Sequence, residues 1–317
     1  MTTSCRRARP RRAAWCLLGI LTAACGSPAQ DAASVEVERS AAAALPAFTQ
    51  WRLPRELREI SGLARTRDNR ILAVADERAL VAELDVARGK ISKRFAFGNP
   101  AVAGDFEGIA TVGTMVYLLT SDGLLLRAAE GADNTGVAFE RFDTGLGGAC
   151  EFEGLARDPT QADRLWLACK RVLGDGRDKE LHLYAWSRAT ELADAEPLRI
   201  KLKPLRKALD SKSFNPSGLA FTSTGELVLV AARQESYALF SGWPEPALAA
   251  AARLPNRKRH PQTEGITSLD GAWLLADEGK KTGTLSRYAR PFWQTPVAQT
   301  RLHPASAATA GRGEPGS

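Results

Sequence analysis

The sequence predicts an all-β protein, a five-bladed β-propeller, and two observations lead to this prediction. First, five segments share a pattern in which a polar residue precedes a glycine, then Ile or Leu, then Ala or Thr. Their glycines are Gly62, Gly108, Gly154, Gly218 and Gly265, which lie 46, 46, 64 and 47 residues apart. Second, each glycine is followed by a turn and a short apolar run typical of a strand. A period near 46 with several short strands per unit is typical of propeller blades.

The apolar runs supply the predicted strands of each unit. They are Ile71–Ala75, Val116–Thr120, Leu165–Cys169, Leu227–Ala231 and Ala272–Ala276. Few windows show the i, i+3, i+4 spacing of apolar residues that a helix requires, so a helical solenoid is disfavoured. One exception, Leu205–Leu209, lies within the long interval between the third and fourth glycines.

The number of blades depends on that long interval. It contains Ser187–Ser213, which we interpret as an insertion on one repeat, with a sixth, degenerate blade as the alternative. We expect Phe48–Leu53 to form a strand beside the strand around Thr284–Tyr288. Joining the two ends of the chain in one blade would remove open sheet edges.

Residues 1–24 are predicted to be a secretory signal. Five arginines precede the apolar run Ala13–Ala24, which has 12 residues and is too short to span a bilayer. The run leads into Cys25 through a segment similar to a bacterial lipobox, with Thr22 where leucine is usual. We therefore expect Cys25 to carry lipid, with plain secretion or an uncleaved anchor as alternatives. The expected location is the bacterial envelope, facing the periplasm, on the outer membrane in preference to the inner.

Two segments flank the expected propeller, which we place at residues 48–303. Residues 25–47 are rich in Ala, Ser, Glu and Asp and lack periodicity, so we expect a flexible tether after the lipidated cysteine. Residues 304–317 are low in complexity, and we expect a disordered tail. We expect the protein to be a monomer.

The charge distribution argues against a nucleic-acid partner. The net charge is +7, but the five arginines of the signal account for all but two of those charges. The remaining chain is nearly neutral and has little electrostatic attraction for a polyphosphate.

Cysteine usage leaves one pair in the mature chain. Cys5 and Cys16 leave with the signal and Cys25 would carry lipid, so Cys150 and Cys169 remain. An even pair in an oxidising compartment permits a disulfide, and two buried thiols are the alternative.

Polar residues form two columns at the start of the repeats. The position before the glycine holds Ser61, Glu107, Glu153, Ser217 and Glu264. The position two residues earlier holds Glu59, Asp105, Glu151, Asn215 and Gln262. Because side chains alternate along a strand, the two columns are expected to share one face, which lines the central channel of a propeller.

Several carboxylates in one channel would repel one another. Two charges about 5 Å apart cost roughly 3 kcal/mol at an effective dielectric of 20. Protonation, water, a basic partner or a bound cation must relieve this repulsion. Ligands that are all oxygen favour Ca²⁺, or Mg²⁺, over zinc. The alternative is that the glutamates tie neighbouring blades by hydrogen bonds to backbone N–H groups.

The ends of the second strands carry charges of both signs, among them Asp76, Lys170, Arg233 and Asp277. If these residues reach the channel mouth, Lys170 and Arg233 would hold an anionic ligand while the acids hold the cation. The alternative is ordinary charged hairpin turns. A basic cluster, 257–260, precedes the fifth repeat, and we interpret it as a solvated loop.

The repeats resemble the SdiA-regulated (YjiK-like) family of bacterial β-propellers and, more distantly, the esterase-like propeller domain associated with phytase. The segments that carry the resemblance are Glu59–Ala64, Asp105–Ala110, Glu151–Lys170, Asn215–Phe240 and Gln262–Gly279.

This resemblance covers about residues 48–290 and implies five blades with a calcium site on the axis. It gives Glu107, Glu153 and Glu264 as the best-matching ligands, and Glu59, Asp105 and Glu151 as secondary candidates. Two features depart from the family pattern: Asn215 stands where the family often has an acid, and the insertion Ser187–Ser213 is longer than expected. Both departures affect the number of calcium ligands that the resemblance implies.

The sequence supports two functions. No Gly-x-Ser-x-Gly elbow, Walker loop or His-Glu-x-x-His motif occurs. Our first interpretation is therefore an envelope-anchored, calcium-binding module for an unidentified small-molecule or protein ligand. The alternative is a metal-dependent hydrolase of esters, lactones or phosphate esters, with its active site in the channel. No catalytic residue can be named from the sequence.

Overall fold

Five sheets, antiparallel apart from one strand at an outer edge, form a five-bladed β-propeller, as the repeat predicts. The computed structural model describes residues 46–173 and 179–294, all within one compact unit, Ala44–Ser317. The expected signal, Cys25, nearly all of the tether and the C-terminal tail lie outside the described residues. Within the described residues, no helix has the length and apolar character needed to cross a membrane.

The first two blades follow the repeat closely. The strands of the first blade are β2 (Ile60–Arg65), β3 (Ile71–Ala75), β4 (Arg78–Asp85) and β5 (Lys90–Phe97), with β9 (Thr135–Val137) added in parallel at the outer edge. The strands of the second blade are β6 (Phe106–Val112), β7 (Met115–Thr120), β8 (Leu124–Ala129) and β10 (Glu140–Asp143). In both blades the repeat glycine lies in the innermost strand.

The third blade contains the insertion, which is not a sixth blade. Its strands are β11 (Cys150–Arg157), β12 (Arg164–Val172), β13 (Glu180–Ser187), β14 (Leu192–Ala193) and β15 (Leu198–Lys201). Both β14 and β15 pair with β13, so they form the outer edge of this sheet. The helical spacing at Leu205–Leu209 corresponds to the helix α1 (Leu202–Leu209), whose leucines are buried against the third and fourth blades.

The last two blades complete the ring. The strands of the fourth blade are β16 (Gly218–Phe221), β17 (Leu227–Ala231), β18 (Ser236–Ser241) and β19 (Ala247–Arg253). The strands of the fifth blade are β20 (Thr263–Leu269), β21 (Ala272–Asp277), β22 (Thr284–Tyr288) and the N-terminal β1 (Phe48–Arg52). Short 3-10 helices occupy Arg55–Leu57, Arg257–Arg259 and Phe292–Gln294.

The predicted closure of the ring is present. β1 pairs antiparallel with β22 from Phe48 opposite Tyr288 to Arg52 opposite Thr284. The N-terminal strand thus completes a sheet built from the C-terminal repeat, which covers the outer edge of β22. Gln50 adds side-chain hydrogen bonds, to Ser286 Oγ at 2.9 Å and to the carbonyl of Arg259 at 3.0 Å.

The hydrophobic core lies between neighbouring sheets. Between the second and third blades, Tyr117, Phe152 and Trp186 are buried and pack in one cluster. Phe95, Phe97 and Phe106 do the same between the first and second blades. Each blade therefore buries both faces of its sheet, which explains the continuous apolar runs of the second strands.

The repeat glycines are the points at which neighbouring inner strands approach most closely. A Cβ atom placed on Gly108 would lie 2.8 Å from Leu155 Cβ and 2.9 Å from the Leu155 backbone nitrogen. A Cβ on Gly62 would lie 3.1 Å from the backbone nitrogen of Ile109. The absence of a side chain lets the inner strands close around a narrow axis.

Candidate functional site

A β-bulge at the start of three inner strands sets the direction of the residue before the glycine. In β2 the pairing passes from Ile60 to Gly62 and skips Ser61. It skips Glu107 in β6 and Glu264 in β20 in the same way. A bulge leaves one residue out of the ladder and redirects its side chain. The regular alternation expected from the sequence is therefore broken at this position.

The earlier polar column lies mostly outside the inner strands. Glu59, Asp105, Asn215 and Gln262 precede the first residue of their strands, and Glu151 alone of this column lies within a strand. Members of both columns nevertheless line one cavity at the channel mouth: Glu151, Asn215 and Gln262 from the earlier column, and Glu153, Ser217 and Glu264 from the column before the glycine.

A small cavity lies on the axis between the bulged residues and the glycines. Its volume is about 10 Å³, and Ser61, Glu107 and Glu264 line it. This volume matches about one water-sized particle. Below it stands a ring of five buried aliphatic side chains, one from each blade: Leu63, Ile109, Leu155, Leu219 and Ile266.

The two carboxylates of this axial cavity are electrostatically unfavourable when charged. Burial, with repulsion from Asp105 and Glu264, raises the pKa of Glu107 to about 8. Burial likewise raises the pKa of Glu264, although Lys170 opposes that shift. Glu264 Oε2 is buried and has no hydrogen-bond partner. An acceptor in this state favours a proton or a cation beside it.

The third glutamate of the column is neutralised from within the protein. Glu153 is 4% exposed and forms an ion pair with Lys170. The Lys170 ammonium also lies 3.7 Å from Glu151 Oε1. Lys170 is thus the counter-ion of these two glutamates.

The two serines of the column connect neighbouring blades. Ser61 Oγ donates to the carbonyl of Phe106 at 2.6 Å, and Ser217 Oγ donates to the carbonyl of Thr263 at 2.6 Å. In each case the acceptor lies at the start of the next inner strand. Two members of the column, both serines, thus connect neighbouring blades, and they do so by donating to backbone carbonyls.

The rim of the mouth is rich in acids. Glu59 is held by Arg58 at 2.8 Å and Asp105 by the hydroxyl of Ser121, while Glu151 is paired with Arg171. These secondary candidates therefore have partners.

Asp76 differs from the other rim acids. Its Oδ1 is buried without a partner, and burial together with Glu59 raises its pKa to about 6. Burial and Glu59 also raise the pKa of Glu278. Asp76 and Glu278 thus add to the negative charge of the mouth.

A larger cavity of about 430 Å³ opens at this mouth over the third, fourth and fifth blades. Its lining brings together Glu151, Glu153, Lys170, Arg233 and Glu264. Asn215 lines it too and donates to the carbonyl of Lys170 at 3.0 Å. The structure thus places Arg233 and Lys170 in one cavity, beside the carboxylates.

Asp277 does not lie with the mouth charges, contrary to expectation. It is 1% exposed, accepts a hydrogen bond from Thr263 Oγ1 at 2.6 Å, and lies 2.9 Å from His260 Nδ1. His260 Nε2 lies 2.6 Å from the hydroxyl of Tyr288. This buried network links the loop before β20 to three strands of the fifth blade.

His260 is the residue of this network that the sequence concealed. It ends the basic cluster 257–260, which we interpreted as a solvated loop, yet its side chain is fully buried. The three preceding basic residues are exposed, as expected. A single histidine after three basic residues gave no periodic signal of burial.

Within the described residues, no group of three or more His, Cys, Asp or Glu side chains is close enough together to hold a metal ion. Two physical reasons account for this. Serines occupy two of the five positions before the repeat glycines, and Lys170 engages Glu153. The donor set that remains on the axis is Glu107 with Glu264, all oxygen, which suits Ca²⁺ or Mg²⁺ in chemistry.

Cys150 and Cys169 form a disulfide, with their Cα atoms 5.6 Å apart. The bond connects β11 to β12 beside the irregular pairing at Glu151 and Phe152. It therefore fixes the start of the inner strand that carries Glu153, and the adjacent Lys170 follows Cys169 directly.

Sheets radiating around a polar axial channel define the class of this protein, a β-propeller with an acidic channel mouth. No family model and no curated protein matches the sequence. Among solved structures, the chain is similar to the PQQ-bound aldose sugar dehydrogenase of Streptomyces coelicolor, with 14% identity, a TM-score of 0.46, and coverage of 76% of this chain and 98% of that one. It is also similar to a luciferin-regenerating enzyme, with 9% identity, a TM-score of 0.49, and coverage of 76% and 94%. Likeness at this level says nothing about function.

Proposed function

We propose that this protein is a ligand-binding propeller whose channel mouth takes a divalent cation, Ca²⁺ before Mg²⁺, on the axis. The observation that carries the proposal is the axial cavity of about 10 Å³, lined by Glu107 and Glu264. One of its oxygens, Glu264 Oε2, is buried without a partner.

A cation and a proton compete to relieve the repulsion in this cavity, and the cation is favoured as the pH rises toward the pKa of Glu107, about 8. The raised pKa of Glu107, about 8, shows that its ionised form is unfavourable without a counter-charge. A divalent cation between Glu107 and Glu264 would supply that charge and the missing partner of Oε2. Calcium takes six to eight oxygen ligands, so carbonyls and water must complete its shell.

Glu153 is the third ligand of the proposal, and Lys170 regulates its availability. The ammonium of Lys170 pairs with Glu153. When Lys170 turns toward a ligand in the mouth cavity, Glu153 becomes free for the cation. Lys170 and Arg233 then face an anionic group of that ligand while the cation lies below it.

Hydrolysis of an ester, lactone or phosphate ester is the second function that such a cation would support. It also requires a general base beside the ligand. Glu151 and Glu153 line the mouth cavity, but both are engaged in ion pairs with Lys170 or Arg171. An engaged carboxylate is a poor base, so the binding role is the better supported of the two.

The proposed location is the bacterial envelope, through lipid on Cys25. The sequence before Cys25 supports this part of the proposal. The mass of the mature N-terminus tests it: a diacylglyceryl cysteine is expected, and an unmodified or uncleaved N-terminus would contradict it.

Metal-dependent unfolding tests the binding function. The melting temperature of the protein is expected to rise with calcium, fall with EDTA, and respond less in Glu264→Gln. A panel of ester, lactone and phosphate-ester substrates is assayed in parallel. Turnover that disappears with EDTA and in Glu153→Gln would favour the hydrolase, and a melting temperature indifferent to calcium and EDTA would refute the cation site.

A further inference from the structure

A third cavity, which we call the far cavity, lies at the opposite end of the channel from the acidic mouth. Its volume is about 480 Å³, within the range of small-molecule sites. The C-terminal halves of all five inner strands line it, and its floor is the ring of Leu63, Ile109, Leu155, Leu219 and Ile266. Because this aliphatic ring also borders the axial cavity, it separates the far cavity from the acidic mouth.

The charged side chains that line the far cavity are all arginines. Arg65 and Arg67 come from the end of the first inner strand and its turn, and Arg157 comes from the end of the third. All three are exposed. No Asp or Glu among the described residues lines this cavity.

None of these arginines forms an ion pair or a side-chain hydrogen bond with another described residue. The acids nearest in sequence are already engaged. Asp68 is paired with Arg70 at 2.7 Å. Both oxygens of the buried Asp158 accept hydrogen bonds, from Thr160, from the Gln161 N–H and from Trp166. Asp270 accepts from Asn69 at 3.3 Å.

Hydroxyl groups complete the lining. Ser223 and Ser268 line the cavity beside the arginines. Thr111 and Thr222 line it too, but the hydroxyl of Thr111 donates to the carbonyl of Arg65 and that of Thr222 is bonded within its own turn. Guanidinium forks recognise phosphate and carboxylate oxygens in pairs, and hydroxyls donate to the oxygens that remain. Three unpaired guanidiniums in a cavity without acids therefore select an anion with several charged oxygens.

We propose that the far cavity is a second binding site, for a small molecule carrying at least two phosphate or carboxylate groups. Its concave shape and aliphatic floor suit a compact molecule that enters the channel better than they suit a flat surface. This site is independent of the cation site, because the aliphatic ring lies between them.

Calorimetric titration of the full chain with pyrophosphate and with citrate, at low salt and without divalent cations, tests the proposal. We expect saturable binding of at least one of them, weakened at least tenfold in the triple variant R65Q/R67Q/R157Q and by added NaCl. Arg52→Gln, which removes an exposed arginine outside both cavities, is the control and should bind as the wild type does. Since all three arginines are exposed, the triple variant is expected to unfold at the wild-type temperature.

Two further experiments distinguish which cavity binds the anion and whether the anion is a small molecule or a membrane surface. A double variant, K170Q/R233Q, alters the acidic mouth, so anion binding that it weakens is assigned to the mouth and anion binding that persists in it is assigned to the far cavity. Vesicles containing phosphatidylglycerol test for a membrane surface as the anion. The proposal is overturned if neither small anion binds, if the triple variant binds as well as the wild type, if K170Q/R233Q alone abolishes binding, or if only the vesicles bind.

Discussion

Glu107 and Glu264 are the residues on which the functional account depends. Each lies before a repeat glycine, a position that a serine occupies in two other repeats, where the serine hydroxyl donates to a carbonyl of the next blade. Replacing a hydroxyl donor by a carboxylate at such a position removes an inter-blade hydrogen bond and adds a buried charge. That substitution costs stability unless a counter-charge is bound.

The pH dependence of stability follows from Glu107. Its pKa rises from 4.5 to about 8 on folding, so the folded chain holds a proton that the unfolded chain has released between these values. The contribution of Glu107 to the free energy of unfolding is therefore fully present below about pH 4.5 and is lost as the pH rises through about 8. In EDTA, Glu107→Gln should exceed the wild type in free energy of unfolding by at least about 1 kcal/mol at pH 9 and equal it at pH 5.

Urea denaturation at the two pH values measures this difference. Glu245→Gln, at an exposed glutamate without an ion pair among the described residues, is the control and should show no pH-dependent gain. Equal stability of Glu107→Gln and the wild type at pH 9 would contradict the placement of Glu107.

The buried Asp277 should be structural. Asp277→Asn weakens its contacts with His260 and Thr263 inside the fifth blade, so we expect a loss of about 2–4 kcal/mol in free energy of unfolding. The matched control is Asp270→Asn at an exposed turn, which should change stability by less than about 0.5 kcal/mol. Chemical denaturation measures both, and similar small losses in the two variants would argue against the network.

At the scale of the elements, the sequence predicted more of the fold than of the site. The repeat glycines and apolar runs placed five blades and their second strands, because these features follow from strand periodicity and close packing. The bulges could not be predicted, since a bulge is a register shift between two strands and leaves no periodic trace in one of them.

Pairing between charges was also beyond the sequence. Lys170 and Glu153 are 17 positions apart and meet because β11 and β12 are adjacent in the third blade. The type of each residue was known, but which opposite charge it contacts depends on the irregular register of that hairpin. The sequence likewise did not reveal that His260 and Asp277 are buried, because their burial also depends on contacts between separate strands.

The contact between inner strands predicts a sharp cost for a side chain at the repeat glycine. A Cβ on Gly108 would overlap Leu155, backbone included, so Gly108→Ala should lower the free energy of unfolding by about 1–3 kcal/mol. Gly148→Ala is the control, because a Cβ there meets no atom within 4 Å. Thermal unfolding measures both, and equal melting temperatures would mean that the blades are less tightly closed than described.

For the whole molecule, closure through β1 joins the two ends of the chain into one sheet. Removal of residues 1–52 should expose the edge of β22 and lower the melting temperature strongly or cause aggregation, whereas removal of residues 1–45 should not. Calorimetry and light scattering on the two truncations measure this effect. Similar behaviour of both would show that β1 is dispensable.

The channel as a whole has an acidic end and an arginine-rich end, separated by a ring of aliphatic side chains. This polarity gives one propeller two chemically distinct mouths. The account of the acidic mouth rests on carboxylates of different blades that share a cation, with Lys170 as the internal competitor.

Calorimetric titration of calcium into the wild type, Glu264→Gln and Lys170→Gln tests that claim most directly. The account predicts one calcium per wild-type chain, at least tenfold weaker binding in Glu264→Gln, and tighter binding in Lys170→Gln because Glu153 is released. Absence of calcium binding in all three proteins, or equal affinity in all three, would contradict it.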